Sequence, residues 1–497
     1  MTLTKSKYVR YCQCPKMLWM DYHKPEEGVK DESLDARFNE GHECGELAKG
    51  LFGDYVECTA LRPDGSLDIS MMLAQTKKAV ARGMETICEA AFSIYGLYCA
   101  VDILHKTQGG YSVYEVKSST GIKEEYLWDL AFQKHVLKLS RINVTGMYIV
   151  HVNNTYVRQG EIDLGKFFIT EDVSEDIEPY YEKVAKTVSE AKNYLNAWQE
   201  PEMEIGLRCH HPYGCPYWTH CMNTPSPNVF DLYRIREEEA LDLYNSGVRT
   251  LKDIYCSGDY TDETQQGRQV RYANENLPAY VDKEGLRAFL SKIKYPMYFL
   301  DFETFMTCIP RYDGVRPYQQ VPFQYSLHIL ESENAPLVHR EFLADENEDP
   351  RRAVAESLVE TIPEDATILA YNMSFERGRI KELADRFPDL AGRLMQMREQ
   401  FVDLLEPFQN GFVYNRQMGG SFSIKSVLPA LFPDDPELNY TSLDEVHNGG
   451  QATATYLALE DMSPADRDRA RANLLKYCCL DTYGMVRIWQ KLKELAA

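Results

Sequence analysis

The segment YFLDFETF, residues 298–305, sets Asp301 and Glu303 one residue apart inside an otherwise apolar run. Alternate side chains of a strand share a face, so the two carboxylates point one way while Leu300 and Phe302 point the other. Two acids on one face of a buried strand repel each other and lose hydration unless a cation compensates them. A divalent metal would do so; the alternative is an edge or end position with both acids in water. Further on, AYNMSFERGRI places Glu376 at the start of a helix that follows a strand, and LKYCCLDTYGM places Tyr477 and Asp481 four apart on one helical face. In the N-terminal half, VDILHKTQGGYSVYEVKSS reads as a hairpin turning at Gly-Gly. Asp102 lies on its first strand; Glu115 and Lys117 share a face of the second. The helix that follows carries Gln133 in AFQKHVL. Cys209, Cys215 and Cys221, in CHHPYGCPYWTHC, recur at six-residue intervals, too wide for a Cx2C zinc knuckle.

These groups need elements to hold them. At 497 residues the chain exceeds one ordinary core, and two or three domains are expected. A hydrophobic content of 44% with 26% charged residues belongs to a globular protein, and no apolar run reaches the roughly 18 residues of a membrane span. The start, MTLTKSKYVRY, lacks the apolar stretch of a signal peptide, so a cytoplasmic protein without membrane contact is expected. In a reducing compartment its 13 cysteines are metal or cluster ligands before they are disulfides. The net charge of -22 argues against loose, non-specific nucleic-acid binding, while leaving room for a local basic groove or for acids gathered around metals. NTPSPN, residues 223–228, closes a first domain, 1–223. Residues 224–293 read as a helical connector, in which Gly247 between two helices has the outline of a helix-hairpin element or of a plain linker. From 294 to 497 strands and helices alternate. MYFLDFET, FQYSLHIL and VHREFLA form an expected meander, AVAESLVETI a crossing helix, and TILAYN a further strand: an α/β layout.

Strand DxE, a strand-to-helix NxxFE and a late helical YxxxD, in that order, resemble the DEDD (DnaQ-like, ribonuclease-H-like) 3′–5′ exonucleases of the tyrosine subtype, over about residues 294–497. The resemblance implies that Asp301, Glu303, Glu376 and Asp481 hold two Mg²⁺ or Mn²⁺ ions and that Tyr477 orients the attacking water. In-line phosphodiester hydrolysis needs one metal to activate water and a second, about 4 Å away, to stabilise the leaving oxygen. The family's second motif ends in Asp where this chain has Glu376; Asp403, in FVDLLEPF, is the substitute ligand or else a solvated acid. Ser421, Ser423 and Lys425, ahead of an apolar helix, read either as phosphate contacts or as a helix cap beside a solvated lysine.

Asp102 with Glu115-x-Lys117 on a hairpin resembles the PD-(D/E)XK nucleases of the RecB type, in which two acids bind metal and the lysine serves the hydroxide or the transition state. Gln133 matches that family's supporting glutamine. Leu137 replaces its aromatic, and Gly45 its upstream histidine, with His42 close by; Glu89 is a further candidate ligand. Cys14, in CPKMLWM, resembles the isolated Cys-Pro of the iron–sulfur RecB-like nucleases, the CRISPR-associated ones included. The implied ligands of a [4Fe–4S] cluster are then Cys14, Cys209, Cys215 and Cys221. Zinc on three cysteines and one of His210, His211 or His220 is the alternative. Cys12 lacks the proline that shapes the turn, and Cys478 and Cys479 read as buried helix residues. The expected protein is multidomain α/β: a PD-(D/E)XK core and a ribonuclease-H-like mixed sheet with flanking helices. The implied activity is metal-dependent 3′–5′ cleavage of single-stranded ends, with a second, RecB-like centre, in DNA repair, defence or nucleic-acid processing, and DNA rather than RNA as partner. The rivals are a nucleic-acid-binding or scaffold protein with vestigial sites, and a zinc-stapled interaction protein.

Overall fold

The structure, a computed structural model, describes residues 2–29, 32–440 and 443–497, with the backbone alone for 32–38. The chain divides into two α/β units. One runs to Asn223 and takes in Thr307–Tyr318; the other comprises Thr224–Met306 and Gln319–Ala497. Among the described residues no helix is long and apolar enough to cross a membrane.

The first unit is built on a mixed seven-stranded sheet. Its strands are β1 (Leu3–Thr4), β2 (Val56–Glu57), β3 (Thr86–Ile94), β4 (Leu97–Thr107), β5 (Gly110–Lys117), β6 (Val144–Val152) and β7 (Phe168–Asp172). They lie in the order β2-β3-β4-β5-β6-β7, with β1 beside β4. β3, β4 and β5 form an antiparallel meander, and the helix Glu124–Leu139 then carries the chain to β6, parallel to β5. The Gly-Gly turn has two separate causes. Gly109 takes φ 95°, which side chains resist, and a Cβ at Gly110 would collide with the Asn143 carbonyl. Leu130, Phe132, Val136 and Leu137 of the crossing helix pack with Val101, Leu104, Val113 and Ile149 of the sheet, so Leu137 serves the core. Thr307–Tyr318 is held in this unit by Arg158, whose Nη1 donates to the carbonyls of Pro310 at 2.7 Å and Arg311 at 2.9 Å.

In the second unit a short ribbon pairs β8 (Tyr280–Val281) with β14 (Val413–Tyr414). The main sheet contains β9 (Met297–Phe305), β10 (Val321–Leu330), β11 (Val338–Leu343), β12 (Thr367–Ala370) and β13 (Phe401–Asp403), in the order β11-β10-β9-β12-β13. β9, β10 and β11 are the antiparallel meander; helix Pro350–Thr361 follows, and β12 and β13 are parallel to β9 and to each other. β9 is buried on both faces. Tyr298, Leu300 and Phe302 pack with Val354, Leu358, Ile380 and Leu383. Met297 and Phe299 pack with Met485, Val486 and Trp489 of the long helix Pro464–Ala496. Asp301 and Glu303 continue this second face toward the end of the strand.

Residues 224–293, read from sequence as a connector, pack inside this unit. Leu286 and Phe289 belong to the core that holds Trp489, and Gln269 donates to the Asp231 carbonyl at 2.6 Å. Gly247, at φ 97°, does separate two helices, Glu237–Asn245 and Leu251–Ser257.

Candidate metal centres

In the second unit three elements bring acids together. β9 supplies half-buried Asp301 and buried Glu303, with carboxylate oxygens within 4.8 Å of each other. Buried Glu376 comes from the first turn of the helix Ser374–Arg386, and buried Tyr477 and Asp481 from Pro464–Ala496. Burial, with the charges of Asp481 and Glu376, pushes Glu303 up to about 8. Burial, then the charge of Asp403, pushes Glu376 up to about 8. Asp481 is raised by burial to about 6, against a hydrogen bond from Tyr440. Asp301 rises well above the carboxylate range through burial and the charges of Asp481, Glu376 and Glu303. Lys425, exposed, is the cation that opposes the shifts of Asp301, Glu303 and Asp481, and Arg379 opposes that of Glu376. Glu376 Oε2 is buried without a hydrogen-bond partner. Such a set is costly as it stands, and divalent cations would remove the cost.

Other side chains frame these acids. Tyr440 Oη donates to Asp481 Oδ1 at 2.5 Å. Lys425 Nζ lies 5.2 Å from the Tyr440 ring centre and 5.5 Å from that of Tyr477, and donates to the His447 carbonyl at 3.1 Å. The lysine is thus fixed at the rim of the acids. Ser423 precedes the helix Ile424–Leu431, yet its hydroxyl pairs with Ser426 at 3.0 Å instead of capping a backbone amide. The Cys478 thiol, read from sequence as plain core, sits 3.9 Å from Asp301 Oδ2. Asp403 needs correction. It is half-buried and not a solvated acid: its carboxylate accepts the N–H groups of Asn372 at 2.9 Å, Met373 at 3.2 Å and Leu405 at 2.9 Å. Those bonds buttress the turn, with Asn372 at φ 68°, from which the helix of Glu376 departs.

The first unit gathers a second cluster. Asp102 Oδ2 accepts the Val116 N–H at 2.8 Å. Lys117 Nζ bridges Glu115 Oε1 at 2.7 Å and Asp129 Oδ2 at 3.0 Å. Gln133 Nε2 bridges Glu115 Oε2 at 2.7 Å and Asp129 Oδ1 at 3.0 Å. Lys5 Nζ enters between the expected metal ligands, 3.3 Å from Asp102 Oδ1 and 3.0 and 3.2 Å from the two Glu115 oxygens. Burial opposes ionisation of Glu115, yet Lys117 and Lys5 overcome it and hold its carboxyl far below the usual range. Burial, then the charge of Glu115, raises both Asp102 and Asp129. Glu89 lies between Cys88 and Ala90, which pair with Ile103 and Val101 on either side of Asp102, and has φ 53°, a conformation side chains resist. Burial and the charge of Asp102 push it up to about 7. His42 is exposed on its helix. Lys5 and Asp129 are additions to the sequence reading. Asp129 was within reach of it, one helical turn before Gln133 and on the same face.

The four cysteines Cys14, Cys209, Cys215 and Cys221 line one cavity, walled also by Lys16, Met17, Met20, Met203, Glu204 and Trp218. Proline explains how Cys14 gets there. Pro15 bars its predecessor from helical geometry, so Cys14 is extended at φ -156° between the helices Lys5–Gln13 and Pro15–His23, turning its thiol into the cavity. Gln13 then donates to the carbonyls of Arg208 at 2.8 Å and Tyr213 at 2.7 Å, and Trp19 to that of Ala197 at 2.7 Å. Among the described residues no histidine lines this cavity. Both ring nitrogens of His220 face carboxylates, Glu200 at 2.9 Å and Glu27 at 3.6 Å, and the His210 ring packs against Trp218. Four thiols meet in a lining that is mostly apolar. Cys12 lies outside it, its thiol pushed up to about 12 by burial.

Comparison with known proteins gives context without chemistry. The pattern of a domain of unknown function (DUF2779) matches residues 298–423, which hold Asp301, Glu303, Glu376 and Asp403 and stop short of Lys425, Tyr477 and Asp481. A protein of Mycoplasma pneumoniae, described as "Uncharacterized protein MG366 homolog", is 27% identical over 240 residues. That match covers 44% of this chain and 36% of the relative's length.

Proposed function

We propose that this chain is a metal-dependent nuclease. Its second unit carries a 3′–5′ exonuclease centre of the DEDD type, acting on single-stranded ends, and its first a RecB-like PD-(D/E)XK centre beside a [4Fe–4S] cluster. The observation that carries the reading is the meeting of Asp301, Glu303, Glu376 and Asp481 from three elements, with Glu376 Oε2 buried and unpartnered. The topology supports it. β10 alone runs against the other four strands of its sheet, the ribonuclease-H-like layout, and in the first unit a helix, Ile69–Ala81, precedes the meander, crossing helix and β6. That order, helix–three strands–helix–strand, is the one a PD-(D/E)XK core would have.

Asp301, Glu303, Glu376 and Asp481 would hold two Mg²⁺ or Mn²⁺ ions, which when bound supply an activated water and stabilise the leaving oxygen. Tyr440 restrains Asp481, and the Tyr477 hydroxyl, facing the same carboxylate, orients the water. Lys425 at the rim meets the phosphate of the incoming end. In the first unit Asp102 and Glu115, with Glu89 across the sheet, would hold a divalent ion. Lys117, fixed between Glu115 and Asp129, stabilises charge in the transition state. Cys14, Cys209, Cys215 and Cys221 would hold the cluster, a fit that rests on four thiols and no histidine at the cavity wall.

The test is purified protein with Mn²⁺ or Mg²⁺ and 5′-labelled single-stranded DNA, with RNA in parallel. A ladder shortening one nucleotide at a time, lost in Asp301→Ala and kept in Lys117→Ala, is expected. Binding of the strand without cleavage by either centre would favour the scaffold reading.

Lys5 yields a separate expectation. A metal cannot sit between Asp102 and Glu115 while an ammonium occupies that place, so binding must displace it. Lys5→Met, in an Asp301→Ala background, should tighten Mn²⁺ binding at the first centre by about tenfold, read as free Mn²⁺ by electron paramagnetic resonance. Unchanged or weaker binding would make Lys5 a support for the ligands and not their competitor.

A further inference from the structure

His328 of β10 and His339 of β11 are a cross-strand pair, and Cys479 of the helix Pro464–Ala496 lies against them. One ligand atom from each of the three lies within 4.8 Å of the other two, and Cys479 Sγ is 3.9 Å from His339 Nδ1. Each ring sets one nitrogen against a hydroxyl, which for His339 is the nitrogen that does not face Cys479. His328 Nδ1 is 2.8 Å from Thr482 Oγ1, His339 Nε2 is 2.9 Å from Ser326 Oγ, and these two hydroxyls are 2.7 Å apart. One short chain of hydrogen bonds therefore fixes both imidazoles. Proteins orient metal-ligating histidines this way, by holding the nitrogen that does not ligate.

We propose that His328, His339 and Cys479 form a binding site for one divalent cation of the zinc class, distinct from the carboxylate centre. Bonds of about 2.0 Å to nitrogen and about 2.3 Å to sulfur, at tetrahedral angles, put those atoms about 3.6 Å apart. His339 and Cys479, 3.9 Å apart, need to close by only a few tenths of an ångström, and the other pairs start within 4.8 Å. Two imidazoles and a thiolate select a borderline-soft ion, whereas the oxygen ligands of Asp301, Glu303, Glu376 and Asp481 select Mg²⁺ or Mn²⁺. Three protein ligands leave a fourth position for water, and His339 is the exposed member through which the ion enters. Burial helps by keeping His328 neutral, its pKa pushed down to about 4. The placement also gives the site a purpose. Ser326 is the cross-strand partner of Asp301, and Cys479 stands two residues before Asp481. An ion there pins the helix of Tyr477 and Asp481 onto the strands beside β9.

The proposal does not depend on nuclease activity, and neither does its test. The full chain, prepared without air and carrying Asp301→Ala, is dialysed against buffered Zn²⁺, and zinc and iron are counted per chain. One zinc is expected in addition to the cluster iron. Cys479→Ser and His339→Gln should each weaken zinc retention by about tenfold or more at unchanged iron and unchanged circular dichroism. Both replaced residues have solvent access, so the fold is expected to tolerate them. If the four cavity cysteines hold zinc instead of iron, the parent retains two zinc ions and the variants lose one, which still supports the site. A parent with no zinc beyond that bound by the cysteine cavity, or variants that keep it, would overturn the proposal and leave a hydrogen-bonded polar cluster.

Discussion

Asp301→Ala is expected to lower 3′-end degradation by about 10³-fold or more while raising the stability of the metal-free protein by about 1 kcal/mol. Both effects have one cause. Asp301 shares its surroundings with Asp481, Glu376 and Glu303, and like charges held together in a partly dry site are tolerable only around cations. The pH dependence follows with a definite sign. Glu303 and Glu376 titrate near about 8 and Asp481 near about 6 in the fold, all above the values of about 4 for the unfolded chain. Their contribution to stability is therefore complete below about pH 4 and is lost as pH rises through about 6 and then about 8. Melting curves in a chelator should fall from pH 5.5 to pH 8.5, with Asp301→Ala flattening the fall. Added Mn²⁺, which favours the ionised acids, should raise the parent's Tm more at pH 8.5 than at pH 5.5. A structural DxE pair would give the opposite pattern, with stability lost and activity kept.

What the sequence made legible was local. The DxE alternation, the hairpin about Gly109 and Gly110, and the four-residue step from Tyr477 to Asp481 are set by strand and helix periods, and the structure places each on the element expected. Glu376 likewise falls in the first turn of a helix after a strand. What stayed hidden arrives from far along the chain. Lys5 meets Asp102 and Glu115 across separations of 97 and 110 residues, and Tyr440 reaches Asp481 across 41. No local period encodes such pairs. Asp403 misleads for a related reason: a carboxylate spent on backbone amides has the same sequence signature as one in water. The segment 224–293 reads as a connector because amphipathic helices do not announce what they cover; here Leu286 and Phe289 cover the core of the second unit. Cys479 was hidden similarly, because helical spacing says nothing of the two strands that present histidines to it.

Cys215→Ala should have the largest structural effect, because the cavity it lines joins the two ends of the first unit's chain. Cys14 leads from the helix Lys5–Gln13 into Pro15–His23, and the other three thiols stand on the segment that Gln13 and Trp19 grip through backbone carbonyls. A group bound by four thiolates in the folded state alone converts its binding energy into folding energy. Losing one ligand should cost about 4 kcal/mol, lowering the Tm of the first unit by about 10 °C. Iron content should fall, and hydrogen exchange should rise over residues 5–23 and 203–222 while β9 to β13 keep their protection. The first centre should suffer as well, for two reasons. Lys5 opens the helix that ends at Cys14, and Tyr213, exposed on the loop between Cys209 and Cys215, sets its phenol close to Tyr126 and Lys117. Cleavage by the first centre is thus expected to decline along with the cluster, and 3′-end degradation by the second to continue. Anaerobic protein that contains stoichiometric zinc and no iron would sink the cluster assignment. Unchanged exchange over 5–23 in Cys215→Ala would sink the claim that this cavity holds the two ends of the unit together.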